Sequence, residues 1–252
     1  EIDSYALPPR GMKYSRSVLL GSGGFSTPSR RNLFREAVSD HFTACSEILF
    51  VPYASHWEDW GTYTERMQDF LGDPRLLNID SFDDHSEAVE GAEAIYVGGG
   101  NSFLLIKELH DRGLIGPIRD RVEAGVPYLG VSAGSNIACP TMMTTNDMPI
   151  VAPQSFESLG IVPFQINPHY HPGKIMFMDG EELSQHYGES RSQRIAEFHR
   201  HSSTPVLGMW EGSFLHWDGY DGELTGRASL FRRDWEKPED IKDGPLRYAF
   251  WK

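Results

Sequence analysis

Three side chains that can cooperate in acyl transfer stand far apart in the chain, each just beyond a run with the pattern of a strand. Ser132 is the centre of Gly130-Val131-Ser132-Ala133-Gly134. The segment Val126-Pro127-Tyr128-Leu129 before it has the pattern of a buried strand, and Asn136-Ile137-Ala138 after it that of a helix's first turns. A Gly-x-Ser-x-Gly sequence between strand and helix is a nucleophile elbow: the glycines permit close backbone approach, and the serine Oγ stands at the tip. The helix would add a positive dipole end where an oxyanion forms. A glycine-flanked serine can also serve only as a turn residue and helix cap. A nucleophilic serine needs a base at neutral pH, and imidazole has the fitting pKa. His169 follows Phe164-Gln165-Ile166-Asn167, which reads as a strand, and Glu211 follows the strand-like Pro205-Val206-Leu207-Gly208-Met209. A carboxylate at Glu211 could accept from the imidazole Nδ1–H, fix its tautomer and stabilise the imidazolium, although a lone Glu in a turn is usually just solvated. Gly98-Gly99-Gly100-Asn101 ends a fourth strand-like run. Its Gly99 or Gly100 N–H, with the Ala133 N–H just past Ser132, could form an oxyanion hole, unless the glycines serve tight turning alone.

Elements must carry these residues to one place. Ser17–Leu20, Ile48–Pro52, Leu76–Ile79 and Ala94–Val97 read as short buried strands. Helical spacing over Arg30–Phe42, Trp57–Leu71, His85–Glu90, Ser102–Arg112 and Leu114–Glu123 alternates with them. That alternation predicts an α/β fold, a mainly parallel sheet with helices on both faces, and ligands of such sheets bind at the strands' carboxyl ends. Residues 141–150 form a long polar loop beside the expected pocket. Arg191–His201 reads as a helix, Ser213–Phe231 as an antiparallel hairpin closing the sheet edge, and Arg247–Trp251 as a tail that packs down. Gly21-Ser22-Gly23-Gly24 invites a phosphate-loop reading but lacks both the Lys-Ser/Thr ending and a Gly-x-Gly-x-x-Gly pattern.

Composition narrows the function classes. With 23 Lys and Arg against 36 Asp and Glu, the net charge of −13 disfavours non-specific nucleic-acid or acidic-membrane binding. An anionic substrate then needs a local cationic clamp, for which Arg191 and Arg194 are the candidates. The two cysteines, Cys45 and Cys139, supply neither a disulfide framework nor zinc spacing and read as small buried hydrophobes of a cytoplasmic protein. His169 and His171 have a spacing that could hold a metal, but no Cys cluster or His-Glu-x-x-His accompanies them, so neither a metal nor another cofactor is expected. No run is long enough to span a bilayer. Residues 1–11 read as an expression leader and residues 12–252 as one α/β hydrolytic domain.

Six segments share a further pattern: Val97–Phe103, Gly130–Asn136, Thr144–Val151, Gln165–His169, Ser190–Ile195 and Glu211-Gly212. In sequence and order they resemble the peptidase E (α-aspartyl dipeptidase) family, related to cyanophycinase, over most of the chain from Val18 to about Leu230. The resemblance implies a fold like that of class I glutamine amidotransferases, a flavodoxin-like sandwich. It also implies a Ser132-His169-Glu211 triad and hydrolysis of dipeptides beginning with aspartate. The order Ser…His…Glu separates the chain from α/β-hydrolases. Asn101, Asp147, Arg191 and Arg194 are then the substrate-binding candidates, with Asp147 facing the substrate amino group and also a rival orienter of the histidine. Trp210 precedes Glu211 where the family more usually has proline. Two alternatives stand beside this reading: a cyanophycinase-like hydrolase of β-aspartyl-arginine, and a non-catalytic flavodoxin-like protein holding a phosphorylated ligand on its Gly21 and Gly98 loops. Oligomeric state is open, a homodimer being one option.

Overall fold

The computed structural model describes residues 16–73 and 75–247. The expected leader and residues 248–251 of the aromatic tail lie outside them. Its strands are β1 (Val18–Gly21), β2 (Ile48–Val51), β3 (Leu76–Asn78), β4 (Ile95–Val97), β5 (Tyr128–Val131) and β6 (Gln165–Tyr170), followed by β7 (Met176–Asp179), β8 (Glu182–Gln185), β9 (Val206–Trp210), β10 (Phe214–Trp217), β11 (Gly222–Phe231) and β12 (Glu239–Leu246). Its helices are α1 (Pro28–His41), α2 (Trp60–Leu71), α3 (His85–Gly91), α4 (Ser102–Asp111), α5 (Ile115–Glu123), α6 (Ala133–Ile137) and α7 (Arg191–Phe198).

The first five strands are mostly apolar because both faces of the sheet are covered, Asn78 at the end of edge strand β3 being the polar exception. Alternate residues go to opposite layers. Val18, Leu20, Leu49, Val51, Ile95 and Val97 pack with Val89 of α3, Leu105 and Leu109 of α4, Ile118 of α5 and Ile137 of α6. Leu19, Ile48, Phe50, Tyr96 and Leu129 pack with Phe34 of α1 and with Tyr63, Met67 and Leu71 of α2. The expected α/β architecture with helices on both faces is therefore present. No helix among the described residues is long and apolar enough to cross a membrane.

The sheet order is β3-β2-β4-β5-β1-β10-β11-β9-β6, with β12 also on β11. β3 to β1 pair in parallel, as do β6 and β9. Here the structure corrects the hairpin expectation. β10 and β11 lie inside the sheet, not at its edge, and β12, which apolar patterning does not reveal, pairs with β11. β9 pairs with Ala228–Phe231 of β11 and β10 with Gly222–Thr225, both antiparallel. They form one line along β11, broken at residues 211–213. β1 runs antiparallel to β10, while β6 runs parallel to β9. The carboxyl ends of β1 and β6 consequently point at one another across the break in the β9–β10 line. That meeting point, which a purely parallel sheet would not contain, positions the site.

Candidate active site

The elbow forms because both of its glycines are needed. A Cβ on Gly130 would lie 2.5 Å from the Gly134 carbonyl oxygen, and one on Gly134 only 2.1 Å from the Val97 oxygen. These contacts fold the chain sharply from β5 into α6, which starts at Ala133, earlier than the sequence pattern indicated, and is only five residues long. Ser132 is left at φ 53° and ψ −106°. A non-glycine residue there costs roughly 1–3 kcal/mol and persists only where surrounding contacts over-determine it. One such contact is the Ser132 N–H donated to Gly21 O at 2.9 Å.

His169 is the other non-glycine residue at positive φ among the described residues, 54°. Its backbone N–H donates to Ser22 Oγ at 2.8 Å, and that hydroxyl donates to Met209 O at 2.9 Å. Ser22 is fully buried and so bridges the ends of β1, β6 and β9. Ser132 Oγ lies 2.8 Å from His169 Nε2, and His169 Nδ1 lies 2.7 Å from Glu211 Oε1. A carboxylate only accepts, so Glu211 fixes the proton on Nδ1 and leaves the Nε2 lone pair facing the serine hydroxyl. The geometry can remove a proton from Ser132 and stabilise the resulting imidazolium.

The Gly21–Gly24 loop, which resembles a phosphate cradle in sequence, is filled by this pair. A Cβ on Gly23 would come within 2.5 Å of His169 Cε1, and one on Gly24 within 1.5 Å of Glu211 Oε2. The loop is joined to the broken strand by Ser22 N–H to Ser213 O at 2.9 Å and Gly212 N–H to Gly23 O at 2.6 Å. Ser22 and the two glycines are thus part of the site, although the sequence marks them only as a glycine-rich strand end.

Gly99 borders Ser132: a Cβ on it would stand 3.3 Å from Ser132 Cβ. Neither the Gly99 nor the Gly100 N–H has a protein acceptor among the described residues. Ala133 is buried as the first residue of α6. Asn101 caps α4, its Oδ1 accepting from the Phe103 and Leu104 N–H groups at 3.0 Å while Nδ2 donates to Met148 O at 2.9 Å. Asp147 Oδ2 accepts from both the N–H and Oγ of Ser102, at 2.8 and 2.7 Å, and from Thr145 Oγ1 at 3.1 Å. Asp147 makes no contact with His169 comparable to that of Glu211. The 141–150 loop is also tied to β6, through Asn146 Nδ2 to Pro168 O at 2.9 Å and Asn167 Nδ2 to Thr144 O at 2.8 Å.

Arg191 and Arg194 begin α7 behind a capping box of Ser190 and Gln193. The two differ in setting: Arg191 is half-buried and Arg194 exposed. Burial, and then the charge of Arg194, lower the Arg191 pKa, while Glu211 and Asp147 pull it upward. Arg191 Nε is buried without a hydrogen-bond partner, so this cation enters the field of both acidic site residues with donor capacity unused. Both ring nitrogens of His169 are engaged by protein, and no group of three or more metal-ligating side chains occurs among the described residues. Cys139 is buried as expected, whereas Cys45 is half-buried.

Known proteins resemble this chain over most of its length. Residues 17–225 match Peptidase family S51. A peptidase E of Streptomyces coelicolor is 43% identical over 202 residues, covering 79% of each chain. A probable alpha-aspartyl dipeptidase of Drosophila melanogaster is 42% identical over 193 residues, 74% of this chain and 76% of that protein. The solved structure of a peptidase from an acI-B1 Actinobacterium superposes with a TM-score of 0.62 at 16% identity, covering 92% of this chain and 96% of the other, and shares the fold. On the match across residues 17–225 and these identities, the chain belongs to peptidase family S51.

Proposed function

We propose that the chain is a serine dipeptidase that hydrolyses Asp-X dipeptides through Ser132, His169 and Glu211 and an acyl-enzyme. The observation that carries this reading is the continuous Ser132–His169–Glu211 hydrogen-bond chain, 2.8 and 2.7 Å, between two residues held at positive φ. Ser132 Oγ attacks the peptide carbonyl as its proton passes to His169 Nε2. The developing oxyanion is met by N–H groups of Gly99 or Gly100 and Ala133, and His169 returns the proton to the leaving amine. Water, deprotonated by the same histidine, then frees the aspartate and regenerates Ser132.

Specificity for aspartate rests on charge. The chain's net −13 repels an acidic substrate at long range, and half-buried Arg191 supplies the opposing charge next to the triad. Arg194 supports it from the exposed side, Asp147 Oδ1 is the acceptor for the substrate ammonium, and Asn101, the cap of α4 tied to Met148 O beside Asp147, is the further substrate-binding residue. The name of the Drosophila relative supports the aspartyl preference. The test is kcat/KM for Asp-Leu, Asn-Leu, Glu-Leu and N-acetyl-Asp-Leu. Removing one charge from a desolvated Arg–carboxylate pair costs about 2–5 kcal/mol, so Asn-Leu is expected to be cleaved at least about thirty-fold more slowly. Equal rates on Asp-Leu and Asn-Leu end the aspartyl reading.

A further inference from the structure

An oxyanion donor works only if its peptide plane is aimed before the reaction, and the Gly99–Gly100 peptide has a dedicated anchor outside the triad. Tyr63, on α2, is 4% exposed and its hydroxyl donates to Gly99 O at 2.8 Å. The ring is held edge-on by Phe50 at 5.2 Å, with the Arg66 guanidinium 4.9 Å from its centroid. Gly98 makes room for the contact, since a Cβ there would sit 2.7 Å from the Tyr63 oxygen. The other side of the turn is fixed by β2's following loop: a Cβ on Gly100 would lie 2.2 Å from Ala54 O, which accepts the Asn101 N–H at 2.9 Å. The described residues contain no cis peptide bond, so with Gly99 C=O held by Tyr63 the Gly100 N–H points to the opposite edge of the plane. That N–H has no protein acceptor, and Gly99 lies against Ser132.

We propose that Tyr63 is a positioning residue for catalysis, fixing through Gly99 O the aim of the Gly100 N–H at the oxyanion formed on attack by Ser132. The inference rests on the serine-nucleophile reading above. Burial pushes the Tyr63 phenol up to about 12, so it remains a donor at every working pH. Packing alone would need the ring but not the hydroxyl.

Tyr63→Phe separates these roles because it keeps the ring. Leu71→Ala is the packing control, since it removes a buried side chain of the same helix α2 while Tyr63 and Phe50 keep their contact. Two readouts are taken on the intact chain. One is kcat and KM on Asp-Leu. The other is the labelling rate with a fluorophosphonate, in which a Ser132 Oγ–P bond forms, the P–F bond breaks, fluoride leaves, the hydroxyl proton passes to His169, and the phosphoryl oxygen occupies the oxyanion position. Deleting an oxyanion donor costs about 10²–10³ in kcat. A donor that is present but mis-aimed is expected to cost about 10–100-fold in kcat, with KM unchanged and a parallel fall in labelling rate. Leu71→Ala should lower Tm while its labelling rate stays near wild type. The proposal is overturned if Tyr63→Phe labels and turns over like wild type, or if Leu71→Ala slows labelling equally. Wild-type labelling without cleavage of any Asp-X dipeptide would defeat the substrate assignment while leaving the labelling comparison to decide on Tyr63. A wild type that cleaves Asp-Leu but is never labelled would defeat the serine-nucleophile reading, and the Tyr63 proposal with it, while leaving the substrate assignment intact.

Discussion

Gly24→Ala should disable the site although none of the three proposed triad residues is replaced. Gly24 is at φ +73°, and an added Cβ would lie 1.5 Å from Glu211 Oε2, 2.6 Å from its Cδ and 3.0 Å from its Cβ. Such separations are impossible, so the carboxylate must leave its 2.7 Å contact with His169 Nδ1. Loss of the residue that fixes the histidine tautomer costs about 10⁴-fold in kcat in a serine triad. A displaced Glu211 stays nearby, which sets the expected loss at about 10²–10⁴-fold. Left-handed backbone strain adds about 1–2 kcal/mol of destabilisation. Gly113→Ala isolates that second effect: Gly113 is at φ +67° with nothing within 4 Å of its Cβ position, so it should lower Tm but leave kcat on Asp-Leu unchanged. A double-mutant cycle supplies the decisive number. If Ala at 24 acts by expelling Glu211, the Gly24→Ala/Glu211→Ala double variant should be scarcely slower than Glu211→Ala alone. Independent, multiplying losses would refute the displacement mechanism.

Three further outcomes follow from other parts of the site and core. Ser22→Ala leaves the His169 N–H and Met209 O without partners, so stability should fall by about 1–3 kcal/mol and kcat should fall with it; denaturant titration and turnover check both, and unchanged kcat would show that His169 keeps φ +54° unaided. Burial, reinforced by His216, lowers the His41 pKa from 6.5 to about 4, against the upward pull of its Tyr128 carbonyl contact. The unfolded chain therefore binds more protons between those values: His41's contribution is complete above about pH 6.5 and declines as pH falls toward 4. Its size is on the order of 2–3 kcal/mol, so His41→Gln should flatten the loss of unfolding free energy between pH 6.5 and 4.5, and an unchanged slope would contradict the assignment. Dialysis against a strong chelator should leave turnover unaltered, because both His169 nitrogens are already engaged; loss of activity restored by zinc would make His169 and His171 ligands.

Much of this arrangement is legible in the sequence because its signals are local. Gly130 and Gly134 announce a sharp strand-to-helix turn, and His169 and Glu211 stand where strand-like runs end. Their convergence is not local. It depends on β9 and β10 lying along one edge of β11, so that β1 and β6 meet end to end, and no hydropathy pattern encodes that register. Ser213–Phe231 reads correctly as hairpin strands, but the pattern of a hairpin says nothing about which neighbours its outer edges find. The β7–β8 hairpin carries an Asp179-Gly180 turn signal, yet its strands are exposed and lack the alternation of a buried face. Ser22 and Tyr63 act through contacts 147 and 36 residues away in sequence, and composition marks neither.

The most direct test of the account is turnover of Asp-Leu by Ser132→Ala beside wild type, with Tm measured on both. The variant should fold like wild type and lose activity by roughly a millionfold, the scale seen when a triad nucleophile is removed. A folded Ser132→Ala protein retaining more than about one per cent of wild-type kcat/KM would contradict catalysis by this serine.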